Sequence, residues 1–123
     1  MKQRTVGTYV CGFHYVDIVL RDGDGAEYYA LPKKGRPVRI KIGADVSWQD
    51  VVRSFLHEAL EMCLDYLHDR YTPSQDMGRD HGQYLFVFNH ADFSDACGSV
   101  AELAVQALPD LATALKQWKK DSK

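Results

Sequence analysis

Residues 38–68 read VRIKIGADVSWQDVVRSFLHEALEMCLDYLH, and the spacing of apolar residues changes inside this stretch. Over 38–43 it alternates: Val38, Ile40 and Ile42 fall on one face and Arg39 and Lys41 on the other, the pattern of a strand with one wet side. Past Ser47 the intervals become three and four, through Trp48, Val52, Phe55, Leu56, Ala59, Leu60, Cys63 and Leu67, as the buried stripe of a helix requires. Ser47 followed by Asp50 supplies an N-cap and a first-turn carboxylate. Thr72-Pro73 blocks extension, so the helix is predicted to end at about Arg70. A strand followed by a helix decides the fold class.

Working outward, TYVCGFHYVDIVL is rich in β-branched and aromatic residues and reads as one strand. RDGDG reads as a hairpin turn, with Gly23 and Gly25 free to take positive φ, and AEYYALP as the return strand. Residues 32–35 and the polar run SQDMGRDHG read as loops, and QYLFVFN as a short later strand. Asp92 is predicted to cap a second helix whose Phe93, Ala96, Cys97, Val100, Leu103, Ala104 and Ala107 face the core. Pro109 interrupts that pattern but suits the first turn of a continuing segment. The expectation is one α+β domain over 1–123. Its small antiparallel sheet, three N-terminal strands plus one later strand, packs on the long helix and a C-terminal helical segment.

The 123 residues are 46% hydrophobic and 26% charged, within the range of one folded domain with a real core. Fifteen Lys and Arg against 17 Asp and Glu give a net charge of -2, which supplies no bulk attraction to nucleic acid or anionic membrane. No stretch approaches the roughly 20 apolar residues of a membrane span. MKQRTVGTYV lacks the apolar core of a signal peptide. Cys11, Cys63 and Cys97 show no CxxC spacing and read as reduced, mostly buried thiols of a cytoplasmic protein.

Within the helix, His57, Glu58 and Glu61 form His-Glu-x-x-Glu. Residues four apart leave a helix on the same side, which is why HExxH can hold zinc while its glutamate reaches the water that the metal activates. Stepping around the helix at roughly 100° per residue sets His57, Glu61 and His68 nearly opposite the apolar stripe. On that count the pair is equally an ordinary exposed i,i+4 contact, worth a few tenths of a kcal/mol. DGDG lacks the acidic series of a calcium loop and reads as a turn.

The order strands, HE-helix, second helix, with LHEALE (56–61), FNHADFSDA (88–96) and GSVAELAVQALPDLATAL (98–115), resembles the small zincin-like, HExxH metallopeptidase-like proteins of phages and prophages. Glu61 stands where active members carry histidine. The resemblance implies a zincin-like layout and a bacterial host cell. It also implies a metal site, zinc by analogy, in which Glu58 holds the general-base position. His57 and Glu61 would supply two ligands. His90 is the best third candidate by position, with Asp95 and Cys97 behind it; alternatively His90 ends a strand, Asp95 sits in a first helical turn and Cys97 is core. Two functions follow. One is a phage-type accessory protein that binds and inhibits a host protein or defence complex, its catalytic set incomplete. The other is a zinc-dependent hydrolase using the HExxE variant.

Overall fold

The computed structural model describes residues 2–12, 14–30, 38–68, 70–71 and 85–123. It has the expected α+β class, with a four-stranded sheet and two helices around one core. Strands β1 (Gln3–Cys11), β2 (His14–Arg21), β3 (Ala26–Ala30) and β4 (Val38–Gly43) lie in the order β1-β2-β4-β3. The sheet is mixed, not antiparallel throughout: β2 and β4 run parallel, and the β1–β2 and β3–β4 pairs run antiparallel.

Two local readings change here. The stretch 8–20 is not one strand: Gly12, at φ +62°, turns the chain so that Cys11 pairs with His14 across a tight hairpin. RDGDG does turn, but β3 does not return beside β2, because β4 inserts between them. The end of β4 satisfies the turn's backbone. The N–H groups of Gly43, Ala44 and Asp45 donate to the carbonyls of Gly25, Arg21 and Gly23 at 2.8, 2.9 and 3.0 Å. The turn passes so close over β4 that a Cβ on Gly43 would lie 2.4 Å from the Asp24 backbone. Only glycine fits that crossing.

Alternation along β4 is as expected, with Ile40 and Ile42 buried. They join Val16, Ile18 and Leu20 of β2 on the face that meets the helices. On the opposite face a polar ladder crosses the strands: Thr8 Oγ1 donates to Asp17 at 2.6 Å, and Arg39 pairs with Asp17 at 3.3 Å.

Helix α1 (Trp48–Tyr66) starts at the expected cap, where the Asp50 N–H donates to Ser47 Oγ at 3.2 Å. It ends before Arg70, because Leu67 caps it and His68 takes φ +63°. The chain then forms β5 (Arg70–Tyr71), which pairs with β6 (Leu85–Phe86). The later strand therefore belongs to a separate two-stranded ladder and not to the main sheet. The loops expected at 32–35 and 74–82 lie outside the described residues, as do Phe13, His81 and Tyr84.

Helix α2 (His90–Asp121) is continuous. Its cap is Asn89, whose Oδ1 accepts from the Asp92 N–H at 2.8 Å, so Asp92 is a first-turn residue and not the cap. Pro109 deprives the Val105 carbonyl of its helical donor. Val105 is 78% exposed, so solvent can take that bond and the helix need not break. Ala96, Leu103, Ala107, Leu111, Leu115 and Trp118 form the buried stripe. Burying each large apolar side chain of such a core contributes about 1.5–3 kcal/mol relative to exposure.

Polar contacts fix α2 against the sheet. Tyr9 Oη donates to Asp110 at 2.9 Å, and Trp118 Nε1 donates to Asp45 at 3.1 Å. Gln106 takes both backbone groups of Val10, accepting from its N–H at 3.1 Å and donating to its carbonyl at 2.8 Å, while Glu102 accepts from the Gly12 N–H at 2.9 Å. The outer edge of β1 is thereby covered at its C-terminal end. Among the described residues no helix is long and apolar enough to cross a membrane.

Candidate metal centre

The buried stripe of α1 runs through Val51, Phe55, Glu58, Ala59, Met62 and Cys63. It is rotated from the expected one: Leu56 and Leu60 are half-exposed, and a glutamate sits in the packed row. The sequence carries two overlapping apolar rows, one through Phe55 and Ala59 and the other through Leu56 and Leu60. The sheet takes the first.

This rotation draws two carboxylates out of water. Glu58 is 7% exposed, and the Glu61 side chain is 15% exposed, although Glu61 was expected on the wet side. His57 behaves as expected, its side chain 68% exposed. One turn apart, His57 Nε2 and Glu61 Oε2 stand 3.4 Å from each other. That separation matches a surface ion pair, and it equally matches two donors on one tetrahedral ion with bonds of about 2.1 Å. A third donor lies beside the pair. Among the described residues, His57, Glu58 and Glu61 each offer a ligand atom, and these atoms lie within 4.8 Å of one another. One imidazole and two carboxylates suit a divalent ion such as zinc or manganese, and the set does not single out zinc.

The other expected ligands lie elsewhere. His90 is the first residue of α2, exposed, and outside this group. Asp95 is exposed and lines a separate cavity of about 460 Å³ with Cys11, Cys63, His14, Ser99 and Glu102. Cys97 is exposed, not core. The structure thus brings Glu58 beside His57 and Glu61, and neither His90 nor Asp95 joins the group.

Two further cavities flank the group. His57 and Glu61 border one of about 500 Å³ lined by Leu60, Leu64, Phe86, Phe88 and Phe93. His57 and Glu58 border a smaller one, about 210 Å³, with Arg53, Ser54, Gly25 and Ala26. His57 is shared by both. Phe93 was expected in the core, and Phe86 and Phe88 in the short later strand. All three are partly exposed, and the Phe88 and Phe93 rings stack at 5.8 Å. The unbroken apolar run Leu85-Phe86-Val87-Phe88 was the available signal: a strand buried on one face alternates, and this one does not.

Electrostatics elsewhere reflect packing. Burial lowers the pKa of His14, whose ring lies 4.5 Å from that of Tyr66. The buried Cys11 and Cys63 thiols hydrogen-bond at 3.8 Å, which lowers the Cys11 pKa and, together with burial, raises that of Cys63. No family model, curated protein or solved structure matches the chain.

Proposed function

We propose that this protein is a metal-dependent hydrolase whose centre is the HExxE helix, with His57 and Glu61 holding a divalent cation and Glu58 handling the proton of the attacking water. The observation that carries this reading is the convergence of the three donors within 4.8 Å, two of them carboxylates withdrawn from solvent. A divalent ion there would supply Lewis acidity and a more acidic water. The protein's own share is positioning. The helix sets His57 and Glu61 on one side, packing holds Glu58 beside them, and the aromatic cavity offers an apolar side chain a place next to the reacting group. A glutamate ligand in place of a second imidazole reduces the effective charge of the ion, so modest turnover is expected.

Metal content tests this first. Untagged protein purified without chelator should carry near-stoichiometric divalent metal that His57→Ala and Glu61→Ala both lose. Glu58→Gln should then abolish turnover and spare most of the metal. Folded wild-type protein that takes up no metal would sink the reading.

A second reading is favoured by the partly exposed Phe86, Phe88, Phe93 and Leu60. Here the scaffold acts as a phage-type accessory protein that binds and inhibits a host protein or complex through this surface, since exposed aromatics are typical anchors. Glu61→Ala should then be silent in a binding assay, and Phe88→Ser should not.

A further inference from the structure

A pair of sulfur atoms lies on the far flank of α1 from the aromatic cavity. Cys11 closes β1, Cys63 lies on α1, and 51 residues separate them in sequence, from 12 to 62. Their Sγ atoms are 3.8 Å apart, and Cys11 Sγ lies 3.7 Å from the Ser99 carbonyl of α2. Three elements thus converge on one buried dithiol. Both residues are buried, and both line the cavity of about 460 Å³. The third cysteine, Cys97, is exposed on α2 and does not line this cavity.

We propose that Cys11 and Cys63 are a redox-active pair, oxidised by a small peroxide entering this cavity to an intrachain disulfide that ties β1 to α1. The chemistry balances with hydrogen peroxide as oxidant. The Cys11 sulfur attacks one peroxide oxygen, the O–O bond breaks, and hydroxide leaves with the thiol proton as water. Cys11 is then a sulfenic acid, two electrons oxidised. The Cys63 sulfur attacks the Cys11 sulfur; the S–S bond forms, the S–O bond breaks, and a second water departs. Overall, two thiols and one peroxide give one disulfide and two waters.

Closing the sulfurs from 3.8 Å to a bond of about 2.05 Å asks for an approach of about 1.8 Å. Rotation about the two Cα–Cβ bonds can supply part of this. A small approach of α1 to the hairpin that Gly12 turns can supply any remainder. Cys63 sits two residues beyond Glu61, so the helix that carries His57, Glu58 and Glu61 becomes covalently fixed to the sheet edge when the pair is oxidised.

The test uses the full chain with Cys97→Ser, an exposed position whose change leaves the core intact. The folded protein is treated with a few equivalents of hydrogen peroxide, quenched, unfolded and alkylated. Both remaining thiols should disappear from alkylation together. A peptide pair joining Cys11 to Cys63 should appear on a non-reducing map, and dithiothreitol should release it. With Cys63→Ser added, dimedone should trap a sulfenate on Cys11. Thiols that stay fully alkylatable, disulfide-linked dimers in place of the intrachain bond, or a bond that forms only when the protein is first unfolded would each overturn the proposal.

Discussion

The seam where α2 meets β1 and the turn after β4, and the rim between α1 and β6, are built on opposite terms. Along the seam polar groups find partners: Tyr9 meets Asp110, Trp118 meets Asp45, and Gln106 spans both backbone groups of Val10. Along the rim Leu60, Phe86, Phe88 and Phe93 stand partly exposed around His57 and Glu61. A seam of this kind resists unfolding, whereas a rim of this kind gives up apolar burial that folding alone would favour. The difference teaches where to seek stability and where to seek activity in this molecule.

The largest expected effect tests the seam. Trp118→Ala removes the largest fully buried side chain and should cost about 3–5 kcal/mol in urea unfolding. A loss below 1 kcal/mol would mean that α2 does not depend on the seam. Gly43→Ala comes next. The added methyl meets the Asp24 backbone, and about 1–3 kcal/mol should be lost as the turn is displaced from β4. An unchanged urea midpoint would show that the turn yields freely.

Smaller again is Tyr9→Phe, which deletes one hydrogen bond to Asp110 and should cost about 1 kcal/mol. On the rim the expectation reverses. Phe93→Ser should change stability by no more than about 0.5 kcal/mol, as exposed sites usually do, yet reduce whichever activity or binding the protein shows. If it unfolds the protein instead, the rim is structural and the comparison fails.

The smallest effect concerns acid. The Gly23 N–H, followed by the Trp118 indole, holds the Asp45 carboxyl below its ordinary value of 3.8. A depressed folded pKa means that the native state binds its proton later than the unfolded chain. The stabilisation is therefore complete above the ordinary value and lost as the pH falls through the lowered one. In urea titrations from neutral pH downwards, Asp45→Asn should flatten the acid limb and leave its slope near neutrality alone. An identical acid limb would detach Asp45 from acid stability.

Legibility in the sequence followed how local each determinant is. The cap at Ser47, the alternation of Val38, Ile40 and Ile42, and the i,i+4 pairing of His57 with Glu61 need only neighbours, and they could be read directly. The insertion of β4 between β2 and β3 is long-range. Its trace is Gly43, whose need for no side chain becomes visible only once the turn lies over it. Glu58 was readable in position but not in burial, because two apolar rows on α1 competed and only the sheet could choose between them. The pairing of Cys11 with Cys63 leaves no mark in their spacing. Pro109 misled in another way: a proline whose freed carbonyl faces solvent does not have to divide a helix.

Gln106 has a consequence for assembly. By occupying the N–H and carbonyl of Val10, it leaves no docking rung there for a foreign strand, and Glu102 removes the next one at Gly12. A second copy of this chain cannot pair with β1 at Val10 while α2 stays seated, so the helix guards the C-terminal end of that edge as well as walling the core.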